Sequence, residues 1–334
     1  MEGLLSFIAT PFGYILRWIY EFCHSYGLSI IIFTVFTKLV MLPFSMKSKR
    51  GMLEVQRLQP KLAALEKKYK NDKQKYQQEV ANLYQAEGVS PMGGCLPTLI
   101  TFPIMFALYY DIQRPLTYVM GLGEELILKI AETLNYTAEV MDLRMIEIPL
   151  ASLIHENFDK VASLSPKIMD IDLNFLGVNL GATPDFKQFN LLWLLPVLSG
   201  LTAFLLNKVM TYMQKKTTEE AKEALEAEQI AKTGKKPKNT EGPKVDPTQN
   251  SMKMMNIMMP LMNIWFAFVL PAGVTLYWIA GNLTMMLQEV LLNYYFKYEV
   301  KKEEAKRLKQ IEESKRRRAA ILAREDEEEN DEKH

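Results

Sequence analysis

Apolar runs of bilayer length alternate along the chain with long, densely charged stretches. Five windows are dominated by apolar residues: 26–44, 92–110, 189–206, 252–270 and 272–292. A hydrocarbon core of roughly 30 Å takes about 20 residues to cross, at about 1.5 Å of rise each. Each of the five windows has that length. Inside lipid a segment must satisfy its own backbone hydrogen bonds, so each window predicts a transmembrane helix. The competing reading, five buried helices of a soluble protein, requires helices well beyond the usual length of about 11–12 residues. Ahead of the first window, residues 1–25 carry Leu4, Leu5, Phe7, Ile8, Phe12, Ile15, Trp18 and Ile19 around Pro11. This pattern predicts an amphipathic helix in the outer interface, with Tyr14 and Trp18 as anchors at headgroup level. It lacks the basic start and small-residue cleavage site of a removable leader, and an uncleaved signal anchor is the alternative.

The polar stretches have patterns of their own. Residues 45–91 place Met52, Val55, Leu58, Leu62, Leu65 and Tyr69 at helical spacing, then Tyr76, Val80, Leu83 and Tyr84. The two runs predict a helical hairpin turning at Asn71-Asp72, with an N-cap there and a kink or stop at Pro60. The stripes are narrow and the opposite faces rich in Lys and Gln, as in a solvated antiparallel coiled-coil arm. Residues 207–251 begin as a Lys/Glu/Ala-rich helix from Thr217 and become a Gly/Pro/Lys-rich linker from Thr233. The 293–334 tail is a charged helix with Arg316-Arg317-Arg318 followed by an acidic run. Segment 111–188 is the least readable part; Leu122–Leu134 and Tyr136–Phe158 suggest packed or interfacial helices.

Charge sets the orientation. Lys and Arg number ten in 45–91, nine in 207–251 and twelve from Asn293 onward, but one in the first 25 residues. Segment 111–188 holds six, against twelve acids. Basic residues gather on the cytoplasmic side. The hairpin, the 207–251 loop and the tail are therefore expected inside, with the N-terminus and 111–188 outside. The net charge of +1 and a mean hydropathy near zero conceal this segregation. The tail's basic run could meet ribosomal RNA or anionic lipid, but its twelve acids balance it.

Candidate chemistry is sparse. Two cysteines, Cys23 and Cys95, and three scattered histidines form neither a disulfide framework nor a metal-ligand spacing. No nucleophile elbow, P-loop or dinucleotide fingerprint is present, so no enzyme, metal or cofactor is expected. The informative residue is Lys38, which interrupts the first window about 9 Å from its cytoplasmic end. A cation near mid-span costs about 2.5–3.5 kcal/mol on insertion scales, so it should face protein or water. Three placements are open: snorkelling to the inner interface, an ion pair with Glu289, or a lone charge in a groove open to the cytoplasm. Thr34, one turn away on the same face, would wet such a groove. Thr98, Thr101, Asn207, Asn263, Tyr277, Trp278, Asn282 and Gln288 are further candidates to line it, each equally open to a helix–helix hydrogen bond.

Residues 90–110, Ser-Pro-Met-Gly-Gly-Cys-Leu-Pro-Thr-Leu-Ile-Thr-Phe-Pro-Ile-Met-Phe-Ala-Leu-Tyr-Tyr, closely resemble the second-span signature of the YidC-type membrane insertases, the YidC/Oxa/Alb family. Pro271-Ala272-Gly273-Val274-Thr275-Leu276-Tyr277-Trp278, with Asn282 and Gln288, resembles their last span. Leu195-Pro196-Val197-Leu198-Ser199-Gly200-Leu201-Thr202 resembles their third, and 174–186 the outer segment before it. The resemblance implies an all-α membrane protein with five transmembrane helices around a hydrophilic groove, plus a cytoplasmic helical hairpin. Lys38 stands where the family usually has Arg, which keeps the charge but loses the planar fork that binds carboxylates bidentately. Thr101 stands in place of the family's span-two Gln, which weakens that groove contact. The large periplasmic domain of Gram-negative members has no counterpart, which suggests a Gram-positive type.

The function so implied is insertion of hydrophobic segments of newly made proteins into the bacterial cytoplasmic membrane, without a catalytic centre. Nascent membrane proteins and the lipid bilayer are the implied partners. The Sec translocon and, through the basic tail, the ribosome are further candidates, and DNA is not one. A small-solute transporter and a structural assembly factor are the alternative classes; a transporter would tend to show an internal repeat, which is not visible here.

Overall fold

The computed structural model describes residues 2–90, 96–137, 142–185, 187–233, 258 and 260–331. The chain is built of helices, with a single two-residue strand pair among the described residues. It divides into two compact units. The first comprises Met1–Ser45, Cys95–Val209 and Thr248–Leu287; the second comprises Met46–Gly94, Met210–Pro247 and Gln288–His334.

In the first unit, α1 (Glu2–Cys23) turns at His24, which has positive φ, into α2 (Tyr26–Val40). Phe12 stacks edge-on against Phe33 at 5.6 Å and Tyr20 against Tyr26 at 6.3 Å, so the two helices run antiparallel. The expected amphipathicity of α1 is present. Its inner face buries Ala9, Leu16 and Ile19, while Phe7, Tyr14, Trp18 and Phe22 stay exposed. The inner face also meets α5 (Leu96–Gln113), where Ala9 packs with Ala107. The approach is close: a Cβ on Gly13 would stand 2.2 Å from the Tyr118 carbonyl oxygen. Only glycine fits there.

Segment 111–188 folds into α6 (Pro115–Tyr118), α7 (Glu124–Thr133), α8 (Leu143–Glu156), α9 (Phe158–Val161) and the hairpin β1 (Asn174–Phe175) with β2 (Val178–Asn179). The two expected helices are α7 and α8, each somewhat shorter than its pattern. The segment is part of the core rather than a cover over it. Ile127, Ile130, Ile146, Leu150 and Ile154 join Leu16, Ile30, Phe33, Leu108 and Ile112 in one cluster. Glu147, fully buried, accepts from Arg114 Nε at 2.9 Å, from the Thr117 amide at 2.8 Å and from Thr117 Oγ1 at 2.6 Å. These bonds tie α8 to the α5–α6 corner. A buried carboxylate needs this many donors to repay its lost hydration.

Three further helices complete the fold: α10 (Leu194–Thr233), α11 (Pro260–Val269) and α12 (Ala272–Asp331). The Ala272 and Gly273 amides donate to the Ala182 and Leu180 carbonyls at 2.8 and 2.7 Å, which pins the start of α12 to the loop following the hairpin.

The boundaries correct the sequence reading at several points. The first window is not one helix. The chain breaks and bends at Met41, and α3 (Leu42–Lys68) begins inside the window. Pro43 explains the break, because it has no N–H to offer the Leu39 carbonyl and its ring crowds that oxygen. Pro60, by contrast, neither ends nor divides α3. The third window begins too early: Leu191–Trp193 form a 3₁₀ turn before α10, which then runs unbroken through the charged stretch to Thr233. The fifth window and the tail are one helix, α12. The expected linker falls in 234–257, outside the described residues, as does the first part of the fourth window. Among the described residues, one helix, Leu191–Ala227, is long and apolar enough by itself to cross a membrane; the bent pair α2–α3 is a second if it counts as one span.

The second unit holds most of α3, the helix α4 (Lys73–Ala86) and the charged ends of α10 and α12. The hairpin turns where expected: Asp72 caps α4 by accepting from the Lys75 amide at 2.9 Å. Lys61 pairs with Glu87 across the two arms. Two ion pairs join α3 and α10 to α12. Lys49 meets Glu289 with both side chains buried, and Lys297 meets Glu220 at 2.6 Å. A buried pair costs several kcal/mol per ion in lost hydration, so it persists only with close geometry.

Candidate functional site around Lys38

Lys38 lies in the last turn of α2, half-buried, and forms no ion pair among the described residues. Glu289, considered as its partner from the sequence, is engaged by Lys49 instead. A cation three residues from the break at Met41 sits at the C-terminal end of α2, one turn above Thr34.

The threonines on this helix are buried but not free. Thr34 Oγ1 donates to the Ile30 carbonyl at 2.7 Å and Thr37 Oγ1 to the Thr34 carbonyl at 2.9 Å. Hydroxyls satisfied by their own helix can still accept a hydrogen bond, but they cost nothing when left dry. α12 passes close to Thr34: a Cβ on Gly281 would lie 3.9 Å from its methyl. The next residue, Asn282, donates through Nδ2 to Thr202 Oγ1 of α10 at 3.3 Å, and Thr202 in turn donates to the Leu198 carbonyl at 2.9 Å. α10 also packs tightly on α11, where a Cβ on Gly200 would meet Ile264 at 2.6 Å. Small residues let such helices approach closely.

Two further hydroxyls, one on α10 and one on α12, were not singled out from the sequence. Ser199 and Thr275 are fully buried, and neither hydroxyl has a hydrogen-bond partner among the described residues. Both lie inside the stretches that resemble the family's third and last spans, so the motif marked the place but not the burial. An orphaned buried hydroxyl calls for water or a polar guest.

The other sequence candidates are dispersed. Asn282 joins the seam. Tyr277 is buried in the main core, and Trp278 stacks edge-on against Phe266 at 5.9 Å. Both pack with apolar neighbours. Asn207 and Asn263 are half-buried on α10 and α11, and Gln288 belongs to the second unit. Thr98 and Thr101 lie on α5, with their side chains outside the described residues. No group of acidic, histidine and cysteine side chains suited to a metal ion occurs among the described residues.

The chain is similar to known membrane proteins. The chain is 42% identical to a membrane protein insertase YidC of Syntrophobacter fumaroxidans over 107 residues, 32% of this chain and 19% of that protein. It is 46% identical to the one from Granulibacter bethesdensis over a stretch of the same length, 18% of that protein. The chain thus matches about a fifth of those relatives' length. Over 293 residues it is 28% identical to the membrane protein insertase YidC of Oceanobacillus iheyensis, covering 85% of this chain and 82% of that one. The profile of the 60Kd inner membrane protein family matches residues 18–301. With that match running from α1 to the charged part of α12, the chain belongs to the 60Kd inner membrane protein family.

Proposed function

We propose that the chain is a membrane protein insertase, moving hydrophobic segments of newly made proteins from the cytoplasm into the lipid bilayer. The observation that carries this reading is Lys38: a half-buried cation, free of ion pairs among the described residues, in a family of inner membrane proteins. The orphan hydroxyls of Ser199 and Thr275 and the Asn282–Thr202 hydrogen bond support polar positions between α10 and α12.

In this reading five helices cross the membrane, over 26–44, 92–110, 189–206, 252–270 and 272–292, with Tyr26 at the outer end of α2 and the C-terminus in the cytoplasm. A client's apolar segment slides along α10 and α12, whose exposed Val197, Leu201, Leu205, Leu283, Leu287 and Leu291 present hydrocarbon. Its short polar flank enters the groove, where Lys38 attracts acidic residues and groove water lowers the cost of stripping their hydration. Burial of the apolar segment in lipid then drives lateral exit. The step uses no nucleotide and no covalent intermediate. The Sec translocon and the ribosome are candidate partners on the cytoplasmic route.

Reconstituted protein and a single-span client with an acidic flank test the charge. Lys38→Ala and Lys38→Glu should lower insertion, by about tenfold if the contact contributes about 1.4 kcal/mol, and Lys38→Arg should retain it. Equal insertion by all three variants removes Lys38 from the mechanism. Client-independent solute flux through the same vesicles would favour a transporter instead.

A further inference from the structure

α1 and α2 run antiparallel but part on one side, leaving a groove of about 310 Å³ lined by Tyr14, Ile15, Trp18 and Ile19 from α1 and by Ile32 and Phe36 from α2. It lies away from the seam that holds Asn282 and Thr202. We propose that this groove binds one acyl chain of a membrane phospholipid, held between α1 and α2 as an ordered ligand rather than as passing solvent.

Four observations select that occupant. The lining is wholly aliphatic and aromatic, apart from the Tyr14 hydroxyl. A cavity of this kind stays dry, because a water molecule needs two or more polar partners. The groove is also continuous with the exposed apolar side of α2, where Leu28, Ile32, Val35, Phe36 and Leu39 face outward. In a family of inner membrane proteins, the medium against that side is hydrocarbon. Its volume lies at the lower end of ligand pockets, about 300–1,000 Å³. That suits part of one flexible chain better than a folded helix about 10–12 Å across. The fourth observation is that α1 and α2 are held together beside the groove, by the buried Leu16 and the Phe12–Phe33 ring contact.

Tyr14 and Trp18 are 54% and 72% exposed, so each ring has one face on the groove and one on the medium. The acyl chain would lie between these rings on one side and Ile32 and Phe36 on the other. Loss of this lipid would expose the flank of α1 and loosen it from α2.

The test uses full-length protein in detergent with trace phosphatidylglycerol that carries a photoactivatable diazirine at mid-chain. Crosslinks mapped by peptide mass spectrometry should concentrate on 14–19 and 32–36. They should saturate with lipid, and unlabelled phosphatidylglycerol should compete them away. An Ile15→Phe/Ile32→Phe variant, which fills the groove, should lose that set while keeping the crosslinks on the exposed side of α10. The wild-type map stands alone if this variant fails to fold. Crosslinks spread evenly over α2 and α10, without saturation, would overturn the proposal. So would capture of a client segment or a second copy of the chain by groove residues carrying a photoactivatable amino acid.

Discussion

Glu147 has no exposed surface and three donors within 2.9 Å, all from Arg114 and Thr117. Glu147→Ala leaves the Arg114 guanidinium without its carboxylate and should cost about 3–5 kcal/mol, read as a lowered thermal midpoint in detergent. Gly13 is equally constrained for the opposite reason, since it has no side chain to spare. Gly13→Val should separate α1 from the Tyr118 carbonyl and destabilise the protein by an amount comparable to overpacking, about 1–3 kcal/mol. His155 offers a pH-dependent signature. Its Nδ1 lies 2.5 Å from Asp170 Oδ1, and that hydrogen bond to the carboxylate raises the imidazole above its usual value. A raised histidine stabilises the fold while it is protonated in both states and loses that contribution as pH rises through the folded value. The thermal midpoint should therefore fall gently from about pH 6 upward, and Asp170→Asn should reduce that slope, leaving the weaker share from Asp172. The pair is well exposed, so the effect is small.

At the scale of elements, legibility followed from what each pattern encodes. The helices were readable because apolar windows and capping residues such as Asp72 act locally. The hairpin turn at Asn71-Asp72 and the two outer helices α7 and α8 were found this way. Boundaries were not, because charge and hydropathy change along a helix without ending it. Nothing in Lys208 or Lys215 stops α10, and nothing in Lys297 stops α12. The short hairpin β1–β2 has too few residues to show a period of two. Long-range pairings were invisible in principle. Lys49 is one of ten basic residues in 45–91, with no local mark of its partner, yet it is buried against Glu289, 240 positions away. Lys49→Met should therefore be far more damaging than Lys49→Met combined with Glu289→Leu, since the second change removes the stranded charge. Comparing the two thermal midpoints tests this, and equal losses would show that the ions are not coupled.

For the molecule as a whole, the apolar windows pointed to a largely helical chain, the motifs at 90–110, 195–202 and 271–278 pointed to the family, and Lys38 was conspicuous as one charge in a long apolar run. Ser199 and Thr275 were not conspicuous, because a small hydroxyl is marked as buried and unpartnered only by the helices packed around it. Segment 111–188 was unreadable because its apolar residues face other parts of the chain in short, irregular pieces rather than lipid in long ones. The proposed orientation makes its own prediction. With Cys23 and Cys95 replaced by Ser, single cysteines at Lys75 and Glu312 should react with an impermeant maleimide only in inverted vesicles, and one at Lys167 only from outside. The reverse pattern would overturn the arrangement. The break at Met41 also bears on the charge beside it. By interrupting the backbone ladder there, Pro43 leaves α2 with its own negative pole next to an ammonium. An uninterrupted rod would cancel that pole, whereas the bent one lends Lys38 about 0.3–1 kcal/mol of support. If α2 lies in lipid as proposed, a proline that looks like mere punctuation in the sequence thus makes a cation cheaper to keep there.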